Sequence, residues 1–388
     1  MSQFQHITSL LHRFVDKGPA GCACSVALDG ETVYEEYVGL ADIERNKPIA
    51  PDTIFRIYSM TKVITCTAAL MLYERGHFLL NDPLDEYLPE FRHPQVYRRN
   101  PYGAVSVEPA AGPIRVKDLF MMTSGLTYAG SRMETERETK KVLDELKQKE
   151  KAGEPYDVRA LSKAIASVPL AFDPGTHWRY GISHDILGAL IEVVSGKTFG
   201  QFLQDEIFEP LGMEDTFFRI PEHKKDRLCH LYNRAEDGTL TKNTSMDDYY
   251  QPGAVYEGGG GGLLSTLGDY SRFASMLARG GELDGVRILG SRTIGLMATN
   301  HLGPQQLADF DWPHLAGYGY GLGVRVMIDP AAGGSNSSIG EFGWLGMAGT
   351  WVLIDPKERL SAVYMQQMLP NFEAYHQPRL RAVIYGAL

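Results

Sequence analysis

The sequence predicts an α+β fold in which an antiparallel sheet is flanked by helices. Strand patterns lie at both ends of the chain, and the short turns that join them indicate antiparallel pairing. Between residues 81 and 250 the pattern changes to helical segments separated by proline and glycine loops. We therefore expect a sheet subdomain formed by residues 1–80 and 251–388, a mostly helical subdomain formed by residues 81–250, and a functional site in the cleft between them.

The beginning of the chain predicts a helix followed by a β-hairpin. Residues 1–17 form an amphipathic pattern without the apolar stretch of a signal peptide. Residues 21–28 and 32–38 are rich in strand-forming side chains and flank the turn Asp29-Gly30. We expect these two strands to pair at the start of the sheet.

The segment Ser59-Met60-Thr61-Lys62 is the most informative in the sequence. A strand-like stretch, residues 53–58, precedes it, and a nearly all-apolar helix, residues 63–72, follows it. Because positions i and i+3 share one face of a helix, the Lys62 amine can lie within hydrogen-bond reach of the Ser59 hydroxyl. A lysine buried there must be paired or have a lowered pKa, and a neutral lysine can take the serine proton. On spacing alone a helix-capping serine beside a solvated lysine is the better interpretation, but the context predicts an activated serine nucleophile.

The middle third carries several predicted helices. Residues 117–122 and 186–194 are largely apolar and predict buried helices. Residues 134–151 are densely charged, which predicts a solvated helix, with a mobile lid as the alternative. Nothing in the chemistry of this charged segment indicates a part in catalysis.

Strand patterns return towards the end of the sequence. Residues 319–328, 349–355 and 360–365 each lie between turn residues and predict strands, and a last helix is expected from Pro378. The glycine run 258–262 lacks the Lys-Ser/Thr pair of a phosphate-binding loop. We interpret this run as a tight return of the backbone.

Composition and charge argue against several classes of function. The chain of 388 residues has a net charge of −10 and only short basic clusters, which disfavours nucleic acid and anionic membranes as partners. No apolar stretch is long enough to span a membrane, and without a signal peptide we expect a cytoplasmic protein. The 11 histidines are scattered without metal-ligand spacing, so we expect neither a metal nor a cofactor. The four cysteines form no C-x-x-C pair and are interpreted as small buried hydrophobic residues.

A serine nucleophile also needs a proton carrier and donors for the oxyanion, and two segments are candidates. Residues 172–180 are rich in turn-forming residues and place Tyr180 just before a predicted helix. The alternative interpretation is that Tyr180 is a buried core aromatic. Residues 343–350 open a strand with small side chains that let a ligand approach the backbone, although an ordinary glycine-rich turn is the alternative.

Together these motifs resemble the serine β-lactamase and penicillin-binding-protein superfamily, and within it the class C-like family VIII carboxylesterases. The resemblance spans almost the whole chain and implies a serine β-lactamase/transpeptidase-like fold. It rests on several motifs in order: Ser59-x-x-Lys62, Leu-Phe-Met-Met-Thr-Ser-Gly-Leu at 119–126, Phe-x-Pro-Gly-Thr-x-Trp-x-Tyr at 172–180, Pro-Leu-Gly-Met-x-Asp-Thr-x-Phe at 210–218, residues 259–263 and residues 317–322.

The resemblance implies a catalytic role for each matching residue. Ser59 corresponds to the acylated nucleophile, and Lys62 with Tyr180 corresponds to the residues that share the general acid and base work. The oxyanion hole corresponds to the backbone N–H groups of Ser59 and Met347.

Two departures from the family pattern bear on the substrate. Trp344-x-Gly346 occupies the third motif, where β-lactamases and peptidases usually have Lys-Thr-Gly or His-x-Gly. Ile182 replaces the asparagine of the Tyr-x-Asn motif. Both losses favour neutral esters over carboxylated amides. Tyr128 is a candidate wall of the pocket, with an ordinary surface aromatic as the alternative.

The leading hypothesis is a cofactor-independent serine esterase that cleaves small to medium neutral esters through a Ser59 acyl-enzyme. Alternatives are acyl transfer to an alcohol or amine, weak β-lactamase or peptidase activity, and a non-catalytic binding or assembly protein. Intact Ser59, Lys62 and Tyr180 argue against the last of these. The one partner we expect is a small-molecule ester, and its acyl and alcohol groups, like the oligomeric state, stay open.

Overall fold

The computed structural model describes residues 4–388. The strands, in chain order, are β1 (Gly21–Leu28), β2 (Glu31–Asp42), β3 (Lys47–Pro48), β4 (Ile54–Arg56), β5 (Gln95–Arg99), β6 (Val105–Pro109), β7 (Leu231–Arg234), β8 (Leu240–Asn243), β9 (Leu264–Thr266), β10 (Glu282–Leu283), β11 (Val286–Arg287), β12 (Tyr318–Tyr320), β13 (Arg325–Met327), β14 (Phe342–Gly343), β15 (Trp351–Asp355), β16 (Leu360–Gln366) and β17 (Met368–Leu369).

The α-helices, in chain order, are α1 (Gln5–Lys17), α2 (Thr61–Glu74), α3 (Val116–Phe120), α4 (Glu134–Lys151), α5 (Val158–Ile165), α6 (Ser183–Ser195), α7 (Phe199–Leu203), α8 (Glu209–Leu211), α9 (Leu267–Ala278), α10 (Ser291–Met297), α11 (Pro304–Asp309), α12 (Pro330–Gly333) and α13 (Glu373–Tyr385). A π-helical turn, Gln204–Phe208, joins α7 to α8. Short 3₁₀ turns occur at Tyr58–Met60, Leu84–Glu86, Pro89–Phe91, Glu222–Arg227, Asp247–Tyr250 and Pro313–Leu315.

The main sheet is antiparallel and is built from both ends of the chain, as the sequence predicts. Its eight strands lie in the order β12-β13-β14-β15-β16-β1-β2-β3. The early strand β1 pairs with β2 on one side and with the late strand β16 on the other. The hairpin turn uses Asp29 and Gly30, whose φ angles of 54° and 88° fit a tight two-residue connection.

Helices cover both faces of this sheet. On one face, α1 and α13 pack against β1, and Cys22, Cys24 and Val26 belong to the same hydrophobic cluster as these helices. On the other face, Ala23 lies in the larger core that contains α2, α6 and α9. The alternation of β1 side chains between the two clusters follows from the two-residue period of a strand. All four cysteines are free and buried, which confirms their interpretation as small core residues.

Three predicted elements differ from the structure. The stretch 319–328 is a hairpin rather than one strand, because Gly321-Leu322-Gly323 turns the chain between β12 and β13. The last helix begins at Glu373, and Pro378 lies inside it. Only Ile54–Arg56 of the predicted strand 53–58 is extended, and it pairs with β9 outside the main sheet.

The middle of the chain is mainly helical, with α3 to α8 and the hairpins β5–β6 and β7–β8. The charged segment forms α4 with the predicted bounds, Glu134–Lys151. Within residues 4–388 no single helix is long and apolar enough to cross a membrane, although α6 and the bent helical segment Phe199–Leu211 pass that test as a pair.

The packing of α13 on the sheet gives a prediction for stability. Leu380 is fully buried in the cluster that α13 shares with α1 and β1. We expect Leu380→Ala to lower the free energy of unfolding by about 2–5 kcal/mol, because the truncation leaves a cavity against the sheet. Arg379→Ala, at the exposed neighbouring position, should stay within about 0.5 kcal/mol of the parent. Urea denaturation of the three proteins measures both values, and equal midpoints would contradict the assignment of the packing face.

Candidate active site

Ser59 lies at the junction between β4 and α2, on a strained 3₁₀ turn. Tyr58, directly before it, has a φ of 43°, in the left-handed region that non-glycine residues rarely adopt. In the fully described stretch from Thr53 to Leu72, Ser59 is the only residue that is not buried. The backbone therefore presents this one side chain at the surface of an otherwise closed core.

Lys62 is fully buried in the first turn of α2 and donates three hydrogen bonds. Its Nζ lies 3.2 Å from Ser59 Oγ and 2.9 Å from the Tyr128 hydroxyl, and it also donates to the Gly260 carbonyl. The same atom lies 4.7 Å from the centre of the Tyr180 ring. The predicted contact between Lys62 and Ser59 is thus present, and it is one of the three hydrogen bonds that Lys62 donates.

Two opposing effects act on the pKa of Lys62. Burial lowers the pKa, whereas attraction to the Tyr128 and Tyr180 oxygens and the hydrogen bond with Tyr128 raise it. The second effect is larger, so the pKa lies above the ordinary lysine value of 10.5. The expectation of a lowered pKa is therefore wrong for the resting site, in which Lys62 is an ammonium ion.

Two tyrosines flank Lys62, and they differ in their partners. The Tyr128 hydroxyl accepts from Lys62, and burial raises the pKa of this phenol although Lys62 opposes the shift. The Tyr180 hydroxyl accepts a hydrogen bond of 3.1 Å from Trp344 Nε1. The two rings are in edge contact, with centroids 5.6 Å apart. Tyr128 is consequently not an ordinary surface aromatic, because its hydroxyl lies directly on Lys62.

Trp344 is fully buried at the end of β14, within a cluster of aromatic rings. Its ring lies 5.5 Å from Tyr180, 5.2 Å from Tyr320 and 5.9 Å from Trp312. Trp312 is only half-buried, and it also lies 5.4 Å from Tyr180. The position that carries a cation in the lactam-hydrolysing pattern therefore holds an indole that orients Tyr180.

The turn after Trp344 packs directly against the backbone that leads to Ser59. The Thr350 hydroxyl donates to the Ile57 carbonyl at 3.2 Å, and Gly346 N–H donates to the Thr350 carbonyl at 2.7 Å. A Cβ atom on Gly346 would clash with both the Ile57 carbonyl and the Thr350 side chain. Only glycine permits this close approach, which brings the Met347 backbone next to the Ser59 turn.

The backbone N–H groups of Ser59 and Met347 are both free to bind a ligand. No acceptor within residues 4–388 takes a hydrogen bond from either group. Two unpaired N–H donors on neighbouring turns are the kind of groups that can bind an oxyanion.

Ile182, expected to face the substrate, lies in the main core cluster with an exposed fraction of 4%. Its carbonyl accepts from Asp185 N–H at the start of α6. The structure therefore shows Ile182 as a buried residue that begins a helix.

Sequence reasoning missed Gly260 and Asp185, which complete the surroundings of Lys62. Asp185 is buried on α6, and its Oδ1 accepts hydrogen bonds from the Tyr256 hydroxyl and from Gly260 N–H. Two sequence features could have indicated these residues. Asp185 is a charged residue at the start of the apolar helix pattern 186–194, and Gly260 lies in the glycine run 258–262, which we interpreted only as a tight return of the backbone.

One group with possible metal-ligand geometry lies on other elements, within the part of the chain that the structure describes. Asp42 Oδ2 and Glu44 Oε2 lie 3.6 and 3.9 Å from His230 Nδ1. The Lys242 ammonium lies 3.3 Å from His230 Nε2. Nε2 can accept from Lys242, whereas Nδ1 has no hydrogen-bond partner among the described residues and lies beyond hydrogen-bond distance of both carboxylates.

Comparison with known proteins places the chain in a family. The family model described as Beta-lactamase matches residues 7–385. The chain belongs to the Beta-lactamase family. This result confirms the resemblance to the serine β-lactamase and penicillin-binding-protein superfamily and the predicted fold class.

Three relatives illustrate the range of this Beta-lactamase family. An uncharacterised protein of Mycobacterium tuberculosis is 31% identical over 339 residues, which cover 86% of this chain and 82% of that protein. Esterase EstB of Burkholderia gladioli is 28% identical over 374 residues, with coverage of 89% and 85%. The solved structure of simvastatin synthase (LovD) from Aspergillus terreus shares the fold, with a TM-score of 0.84 at 24% identity and coverage of 99% and 98%.

The close packing of Gly346 gives a test of the two free N–H groups. We expect Gly346→Ala to slow the labelling of Ser59 by a fluorophosphonate about 10²-fold, because the added methyl displaces the turn that carries Met347 N–H. Gly268→Ala is the matched control, since its new methyl meets open space and the labelling rate should not change. Mass spectrometry of the labelled peptide against time measures both rates. Equal rates in the two variants would exclude Met347 N–H from the oxyanion site.

Proposed function

We propose that this protein is a serine esterase that cleaves small to medium neutral carboxylic esters through an acyl-enzyme on Ser59. The observation that carries the proposal is the hydrogen bond between Lys62 Nζ and Ser59 Oγ beneath the one accessible side chain of the segment. A positioned amine beside a serine hydroxyl is the arrangement that activates a weak nucleophile. The relationship to esterase EstB supports hydrolysis of an ester.

The proton of Ser59 passes in this proposal to the pair formed by Lys62 and Tyr180. This pair must first lose one proton, which leaves it with no net charge, as a neutral amine beside a phenol or as an ammonium beside a phenolate. Ser59 Oγ then attacks the ester carbonyl carbon and gives its proton to the pair. The pair returns that proton to the leaving alcohol, and a water molecule repeats the sequence to release the acid.

The negative charge that forms on the ester oxygen is bound, in the same proposal, by the Ser59 and Met347 N–H groups. Both donors are unpaired within the described residues, so they need no rearrangement when the charge appears. Preorganised donors of this kind are usually the largest single contribution to acyl transfer catalysis.

Neutral substrates are favoured because the site offers no second cation. Trp344 uses its only polar hydrogen to bind Tyr180, and its ring is fully buried. Among the described residues, Lys62 is the only cation in contact with the Tyr180 ring, and its three donors are already used. A substrate carboxylate would lose its hydration here without gaining an ion pair. The half-buried Trp312 offers an apolar surface to an acyl or alcohol group instead.

The raised pKa of Lys62 determines the expected pH dependence. The ammonium is the form that predominates below its folded pKa, so the population that has lost the necessary proton grows as the pH rises. We expect kcat/KM for a neutral ester to rise by about tenfold per pH unit from about pH 6 to pH 9 without reaching a plateau. Stopped assays with a non-ionising substrate measure this profile. A plateau from about pH 7 upward would show that Lys62 has a lowered pKa during turnover.

The substrate class is tested by one panel of compounds on one preparation. We expect kcat/KM for a short p-nitrophenyl ester to exceed that for penicillins and cephalosporins by at least about 10²-fold, because the carboxylate has no partner. Trp344→Lys should narrow this ratio by giving the carboxylate a cation.

Ser59→Ala is the control for this panel and should abolish turnover of the ester. Adding an alcohol to the same assay measures acyl transfer, since the acyl-enzyme can react with an alcohol as well as with water. β-Lactam turnover as fast as ester turnover would exclude the esterase assignment and favour β-lactamase.

A further inference from the structure

The Lys62 ammonium has no ion-pair partner, although it is fully buried. None of the ion pairs between described residues includes Lys62. Its three hydrogen-bond acceptors are a serine hydroxyl, a tyrosine hydroxyl and a backbone carbonyl, all of them neutral. Neutral acceptors satisfy the N–H groups but do not balance the charge, so a buried ammonium of this kind requires a nearby anion.

Asp185 is the carboxylate on the far side of the Gly260 backbone from Lys62. Its exposed fraction is 5%, and its Oδ1 accepts from the Tyr256 hydroxyl at 2.5 Å and from Gly260 N–H at 3.2 Å. A Cβ atom on Gly260 would clash with Asp185 Oδ2 and would lie 3.0 Å from the Tyr128 hydroxyl. Asp185, Tyr128 and Lys62 therefore all face the same glycine.

Three other titratable groups around Lys62, namely Cys66, His184 and Tyr128, have pKa values shifted towards their uncharged forms. On α2 itself, burial raises the pKa of the Cys66 thiol, and on α6 burial and the charge of Lys62 lower the pKa of His184 to about 3. In the loop before α4, burial raises the pKa of the Tyr128 phenol. Asp185 remains the only one of these groups that can carry a negative charge near neutral pH.

We propose that Asp185 is a positioning residue, whose carboxylate balances the charge of the Lys62 ammonium and anchors the Gly260 backbone that holds it. The inference rests on the proposed function for its link to catalysis, but not for its effect on Lys62. Attraction to the Lys62 charge favours the ionised form of Asp185, and by reciprocity the carboxylate favours the protonated form of Lys62. Burial acts in the opposite direction and raises the pKa of Asp185.

The first test measures the protonation of Lys62 directly and needs no turnover. The ¹³Cε chemical shift of Lys62, in protein labelled at lysine and assigned with Lys62→Arg, is followed against pH. In Asp185→Asn, which keeps the shape and an acceptor oxygen, we expect the Lys62 titration to move to lower pH by at least about one unit. Asp185→Glu keeps the charge and should restore most of the shift. An unchanged titration in Asp185→Asn would overturn the proposal.

The second test uses the pH profile of kcat/KM with a neutral ester. In Asp185→Asn the rising part of the kcat/KM profile should move to lower pH by the same amount as the Lys62 titration. If Asp185 had only a structural role, the substitution would instead lower kcat/KM by the same factor at every pH. Glu192→Gln, which removes another carboxylate from α6 beside Phe199 N–H, should leave the rising part in place. An equal shift in Glu192→Gln would show a general charge effect and overturn the specific role.

A milder variant keeps the proposal testable if Asp185→Asn does not fold. Tyr256→Phe removes only the hydroxyl that donates to Asp185, and this loss destabilises the carboxylate form. The Lys62 titration should move in the same direction by a smaller amount, and no movement would count against the proposal. If the titration moves but no ester is hydrolysed, the inference about Asp185 stands and the proposed function falls.

Discussion

A positive charge held inside the protein is the constraint from which the site follows. A buried ammonium is unstable unless each N–H finds an acceptor, and Lys62 meets this condition with groups from three separate segments. Ser59 comes from the 3₁₀ turn just before α2, Tyr128 from the loop before α4, and Gly260 from the glycine run before β9. The need to satisfy one side chain thus fixes the relative positions of these segments.

The aromatic side chains reinforce this constraint by excluding water from the charge. Tyr128 and Tyr180 lie against Lys62, and Trp344 fixes the Tyr180 hydroxyl from behind. Away from water the local dielectric constant is low, so a hydrogen bond or a nearby charge contributes more interaction energy than it does in water. A change of charge at the edge of the cluster is therefore expected to alter the pKa of Lys62.

The features that the sequence predicts well are those set by local spacing. The contact between Ser59 and Lys62 follows from an i, i+3 pair on a helix, and the bounds of α4 follow from its charge pattern. The placement of Cys22 and Cys24 on one face of β1 follows from the alternation of side chains along a strand. These predictions need no knowledge of which distant segments meet.

The features that the sequence does not predict depend on contacts between distant residues. Gly260 is 198 positions from Lys62, and Asp185 reaches the site only through that glycine. The direction of the Lys62 pKa depends on how many acceptors surround the amine, which no local pattern reveals. The start of α13 was misplaced because Pro378 resembles a helix N-terminus, yet five helical residues precede it.

The pairing of early and late strands also controls when the candidate site is complete. The strand before Ser59 is held by β9, and the turn that carries Met347 lies between β14 and β15, about three hundred residues later. During synthesis Ser59 and Lys62 emerge long before Met347 and the late strands of the sheet. The candidate site is therefore incomplete on a nascent chain and is assembled only when the late strands pair with the early ones.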